Sequence, residues 1–136
     1  MEKKVIDLCK ILYPETYKTD YIYTYYSFND ELKDLVEKSG YVKELKSKYH
    51  KSLRFLEQLK QNCIMNSKLF EQLKNADGIY SIMLKGDKNI RILFDFQTNG
   101  KTEIVVLYNC FEERKTKDYS DEILEAKSRR KELFGI

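Results

Sequence analysis

Proline occurs once in this 136-residue chain, glycine five times, histidine once and tryptophan not at all. So little proline and glycine excludes flexible linkers and low-complexity segments. Cys9, Cys63 and Cys110 stand far apart, with no Cys-x-x-Cys spacing and only His50 to join them. That pattern argues against a structural zinc site and reads as reduced thiols in a cytoplasmic protein. No apolar run is long enough to span a membrane. Asp7 and Lys10 interrupt the short apolar stretch near Met1, so no signal peptide is expected. An excess of one charge is also lacking, because 25 Lys and Arg face 22 Asp and Glu, a net charge of +3. This is well below the usual charge of a nucleic-acid binder, and it leaves open whether the excess is spread or focused.

What is present is ordinary globular material, with 42% hydrophobic and 35% charged residues. Such a chain is too apolar for disorder and suits one domain over residues 1–136. Val5, Leu8, Cys9 and Leu12 recur at helical spacing until Pro14. Tyr21–Tyr26 has the aromatic and β-branched content of a strand, and its tyrosines suit packing better than base stacking. Ser27 with Asp30 predicts a capping box for a short helix through Leu32, Leu35 and Val36, ending near Gly40. Val42, Leu45, Tyr49, Leu53, Leu56 and Leu59 step by three or four and predict a longer helix. A further helical segment is expected around Lys68–Lys74, before the turn at Asp77-Gly78. The period then changes to two. Tyr80–Leu84 and Ile90–Phe96 read as strands joined at Gly86–Asn89, and Asn99-Gly100 turns into a third strand through Ile104, Val106 and Tyr108. A helix from about Ser120 to Leu133 closes the chain. The expected class is α+β, an antiparallel sheet made of an N-terminal strand and a three-stranded meander, packed with helices.

Charge placement is more informative than net charge. Lys43, Lys46, Lys48, Lys51, Arg54 and Lys60 against Glu44 and Glu57 leave the long helix a local excess of four, more than the whole chain carries. A solvated face and a polyanion-binding face explain this equally well. His50 lies beside this face without an Asp or Cys partner and is weak evidence for catalysis. In the hairpin, strand parity sends Lys85 and Arg91 to the sheet surface opposite Ile92 and Phe94. Two cations there suit a phosphate, or are two ordinary exposed positions; parity alone favours the second. Beyond the third strand, Arg114, Lys115 and Lys117 precede Tyr119. From Phe111 to Glu132, however, cations and anions cancel.

Asp77-Gly78-Ile79-Tyr80-Ser81-Ile82-Met83-Leu84-Lys85-Gly86-Asp87, followed by Asn89-Ile90-Arg91-Ile92-Leu93-Phe94, resembles the core of HigB-like toxins, the phage-derived branch of the RelE/ParE superfamily. Ile104-Val105-Val106-Leu107, Phe111, Arg114, Lys117, Glu122-Ile123, Ala126 and Arg129 extend the likeness, which covers about residues 42–134. The Tyr21–Lys38 stretch fits the family's opening β-α unit more loosely. On this reading residues 20–136 form the toxin domain, and 1–19 an N-terminal extension.

The resemblance implies a RelE-like fold and the toxin of a toxin–antitoxin pair. Such a toxin is a metal-independent mRNA endoribonuclease, acting during translation on the ribosome and neutralised by a cognate antitoxin with a helix-turn-helix domain. No cofactor or metal is implied. Lys85 and Arg91 would contact the scissile phosphate, and Arg114 or Lys117 would stabilise charge on the phosphorane. Tyr119 would stack on a base or assist proton transfer. Lys88, Lys115, Arg129 and Arg130 are the further RNA-binding candidates. Three positions depart from the family: Glu113 replaces lysine, Lys115 threonine and Tyr119 proline. A carboxylate at 113 opposes phosphate if it points into the site, or it pairs with a cation or acts as a base. Two other outcomes therefore stay open: a gyrase-targeting or purely protein-binding member of the superfamily, and a phage-derived accessory protein without the chemistry.

Overall fold

A computed structural model describes residues 8–114 and 119–136. Val5, Lys115 and Lys117 lie outside the described residues. The elements run β1 (Ile22–Thr24), α1 (Phe28–Glu37), α2 (Val42–Leu59), a 3-10 helix (Lys60–Met65), β2 (Phe70–Gln72), β3 (Tyr80–Leu84), β4 (Ile90–Asn99), β5 (Thr102–Glu112) and α3 (Ser120–Phe134). The class is α+β, and the sheet order is β1-β5-β4-β3-β2. β2 to β5 pair antiparallel, whereas β1 runs parallel to β5, so the sheet is mixed rather than antiparallel throughout. Among the described residues, no helix is long and apolar enough to cross a membrane.

The expected hairpins form because their turn chemistry is local. Asn99 pairs with Thr102, which leaves Gly100 and Lys101 as a two-residue loop, and Gly100 takes φ +65°. A positive φ at the first loop residue matches the twist of the flanking strands and suits glycine. On α2, Leu45, Tyr49, Leu53 and Leu56 are each within 1% of full burial. Side chains of this kind contribute about 1.5–3 kcal/mol each when fully buried.

Three expectations fail, two of them where a short pattern met a partner outside its own segment. Lys68–Lys74 is not a helix. It contains β2, whose Phe70 pairs with Ile82 and is buried, because a segment this short gains more from an existing sheet edge than from a helix nucleus. Residues 8–12 are not helical either. Cys9 exchanges two backbone hydrogen bonds with Thr24, at 2.9 and 2.8 Å, and Ile11 bridges Tyr17. Ile11 and Tyr13 join the central core, so this stretch is built into the fold. Asn29 holds it there, accepting from the Leu12 amide at 2.9 Å and donating to the Lys10 carbonyl at 2.9 Å. The capping box also fails. Ser27 makes no side-chain cap bond, and its hydroxyl donates to Glu31 instead.

Cross-strand partners share a face of the sheet. Ile82, Ile92 and Cys110 lie in register on one face, near Tyr49 of α2 and Glu31 of α1. Ser81, Leu93 and Asn109 lie on the other, as do Met83, Arg91 and Phe111. That second face is not open. Helix α3 lies over it, where Asn109 Nδ2 donates to the Glu122 carbonyl and Arg130 reaches Asp95. Ser81, Met83, Arg91 and Leu93 on this face are buried. A bulge between Leu93 and Phe94 leaves Tyr108 without a cross-strand partner, and its hydroxyl donates to Asp95 at 2.7 Å. Bulges re-aim side chains in this way.

Candidate functional site

The end of the sheet brings Arg91, Tyr119, Glu113, Glu71 and Ser81 together. Arg91 sits second on β4, opposite Met83 rather than Lys85, on the face that also bears Leu93 and Asp95. Its side chain is only 10% exposed. One terminal nitrogen donates to Glu71 at 2.6 Å and to Ser81 at 3.1 Å, and the other donates to Glu113 at 3.2 Å. The guanidinium also lies 4.8 Å from the Tyr119 ring centre, and the Tyr119 hydroxyl donates to Glu113. Burial opposes the charge on Arg91, but hydrogen bonds to Glu71 and Glu113 outweigh it and hold the group more firmly protonated than usual. Burial and the Glu113 hydrogen bond push the Tyr119 phenol up to about 12. At neutral pH Tyr119 is therefore a donor.

The expected Lys85–Arg91 pair does not form across the strands. β3 ends at Leu84, so Lys85 lies in the connection, exposed, and its carbonyl accepts from Lys48 Nζ. Arg91 is buried between two carboxylates, not facing solvent. The local charge is one cation against two potential anions, which favours a structural ion pair over an open phosphate pocket. A phosphate would have to displace Glu71 or Glu113.

The remaining candidates divide sharply. Arg129 donates to both oxygens of Glu31 at 2.7 and 2.8 Å, to Glu125 at 2.8 Å and to the Tyr108 carbonyl at 2.8 Å, and its guanidinium lies over the Tyr25 ring. Arg130 donates to the carbonyl and carboxylate of Asp77, at 2.8 and 3.0 Å, and to Asp95 at 3.2 Å. Both tie α3 to the rest of the fold, and their guanidiniums are taken by the protein itself. Lys88 and Arg114 are different. Each is exposed, and both line an open groove of about 550 Å³ between the end of β5, α1 and α3. Lys88 lies 3.7 Å from Glu112. Arg114 has no ion pair among the described residues. Five carboxylates, among them Glu31 and Glu122, share the groove with four cations, so it is not a basic patch.

Sequence reasoning missed Glu71, Asp77, Asp95 and Glu31 as partners. Only Asp95 had a usable signal, since it shares Arg91's face of β4 four residues on. Glu71 sat in a segment read as helix, and Glu31 and Asp77 are far in sequence from the arginines they hold. The cysteines carry no site: burial pushes the Cys63 thiol up to about 11 and raises that of Cys110, which keeps both protonated. Among the described residues, no three His, Cys, Asp or Glu side chains are grouped to hold a metal ion.

No known family, no curated protein and no solved structure matches this chain. The likeness to HigB-like toxins therefore rests on the quoted residues alone.

Proposed function

We propose that the chain is a RelE-like toxin of the HigB-like type, an endoribonuclease that cleaves mRNA during translation and is neutralised by a helix-turn-helix antitoxin. The observation that supports this reading is the meeting of Arg91, Glu113 and Tyr119 at the sheet end, with Arg114 next in the chain. The three come from β4, the segment after β5 and the residue before α3. Together they supply a base, an acid and a cation for transesterification. Glu113 takes the 2′-OH proton as the 2′-oxygen bonds to phosphorus. Tyr119, protonated at neutral pH, gives a proton to the departing 5′-oxygen. Arg91 and Arg114 offset charge on the phosphorane, and Lys85 or Lys117 adds to the field. The products are a 2′,3′-cyclic phosphate and a free 5′-hydroxyl. Contact with RNA requires Arg91 to exchange a carboxylate for phosphate, a step that a ribosome presenting the substrate in fixed geometry would favour.

The closed Arg91–Glu71–Glu113 cluster favours a second reading, a protein of this fold that binds a protein target without cleaving RNA. Expression of the wild type, Tyr119→Phe and Arg114→Ala in cells, with mRNA ends mapped with and without translation, separates the two. New ends that depend on translation and disappear in the variants support the nuclease. Growth arrest with intact mRNA supports the protein-binding reading and overturns the first.

A further inference from the structure

On α2, Lys43, Ser47, Lys51, Arg54 and Gln58 recur in steps of three and four, and all are exposed. This stripe carries no carboxylate. Glu44 is held by Lys48 at 3.0 Å, and Glu57 is half-buried beside Tyr17. Among the described residues, Lys43, Lys51 and Arg54 have no ion pair, whereas Lys46 and Lys48 on the neighbouring face have one each. Helix stability does not account for the arrangement. Lys43 stands in the first turn, where the helix dipole disfavours a cation, and no basic residue occupies the last turn, where one would help. Lys51 and Arg54 are like charges three residues apart, a pairing that does not favour the helix. Their surroundings suit a ligand. Ser47, His50, Lys51, Arg54, Phe55 and Gln58 line a shallow depression of about 380 Å³. Phe55 offers a ring 5.9 Å from Lys51 Nζ, and Tyr17 holds His50 edge-on at 5.6 Å.

We propose that this face of α2 binds single-stranded RNA, with Lys43, Lys51 and Arg54 on backbone phosphates and His50 and Phe55 against bases. The inference takes the kind of polymer from the reading above but requires no cleavage. Three cations along ~16 Å of helix can meet a strand that carries a charge at every nucleotide. Rings interleaved with cations are the usual means of holding unpaired bases. A lipid surface fits less well, because the stripe presents no exposed bulky apolar side chain to insert.

The test is fluorescence anisotropy of a labelled oligouridylate across a potassium chloride series, with phosphatidylserine vesicles as competitor. The wild type is expected to bind with a log–log salt slope of about −2, from three phosphates on a single strand. Lys43→Gln/Lys51→Gln/Arg54→Gln should lose at least tenfold in affinity at low salt and flatten the slope. Lys74→Gln/Lys101→Gln, which removes two exposed lysines outside both the stripe and the sheet-end site, should bind nearly as the wild type does. Glutamine keeps high helix propensity, and circular dichroism checks the fold. If the triple variant does not fold, each single variant should lower the slope by about 0.7. Equal binding by wild type and triple variant, no RNA binding by the wild type, or binding to vesicles in preference to RNA would each overturn the proposal. Binding through α2 with intact mRNA in cells would remove the nuclease reading and leave this one standing.

Discussion

The two basic regions of this protein treat their cations in opposite ways. Around the sheet, Arg91 and Arg130 are buried and Arg129 half-buried, and each is held by two carboxylates. On α2, Lys43, Lys51 and Arg54 are exposed and have no ion pair among the described residues. Arginine's planar fork suits the first setting, since it satisfies several fixed acceptors at once. The contrast teaches that a cation aligned with a family motif and a cation available to a ligand are different things. The first set organises the fold, and the second is open to a partner.

The comparison breaks most readily at Arg130. Asp95 is 4% exposed, so Arg130→Ala should leave a buried carboxylate without its cation and cost about 3–5 kcal/mol in urea unfolding. A loss below 1 kcal/mol would mean that Arg130 is not structural. Burial raises the Asp95 carboxyl despite its hydrogen bonds to Tyr108, Gln97 and Arg130, so Asp95→Asn should cost less than the arginine substitution.

Glu113→Gln should have the next largest effect. It removes one of the two carboxylates that hold Arg91, and a stability loss of about 1–3 kcal/mol is expected. If Arg91 is the phosphate-contacting group, the same substitution should strengthen inorganic phosphate binding at Arg91, read by NMR of its side chain. No change in phosphate binding would mark the cluster as purely structural.

Alkaline pH gives a smaller, graded effect. Tyr17 and Tyr119 are pushed up to about 12 by burial and neighbouring carboxylates, and Tyr13, Tyr21 and Tyr25 rise further. A folded-state pKa above the unfolded value of about 10 means the folded chain holds protons that the unfolded chain releases. Their stabilisation is full below pH ~10 and is lost as pH rises through about 12. Phenolate absorbance should therefore appear in two stages, the second coinciding with unfolding. A single stage with the fold intact would contradict the burial assigned to these rings. Smallest of all, the α2 triple glutamine variant should unfold within about 0.5 kcal/mol of the wild type, because its three exposed cations make no ion pair among the described residues.

How much of this was legible in the sequence depended on the range of the interaction. The β3–β4 hairpin, the turn at Gly100 and the apolar face of α2 follow from local turn chemistry and periodicity. β2 and the extended stretch around Cys9 did not, because each is held by a strand distant in sequence, β3 for Phe70 and β1 for Cys9. At the site, strand parity placed Arg91 correctly on the face opposite Ile92. It could not reveal that α3 covers that face, or that Glu71 would arrive from a segment with a helical pattern. Glu113 was the departure from the family pattern most able to oppose phosphate, and it does hold Arg91. The charge excess on α2 was visible from the start; which of its cations lacked partners required the fold.

Backbone amide shifts during titration with single-stranded RNA test the division between the two regions most directly. The account predicts that the first shifts fall on Lys43–Gln58, while Arg129 and Arg130 stay unmoved. Early shifts at Arg129 and Arg130 with α2 unmoved would contradict it.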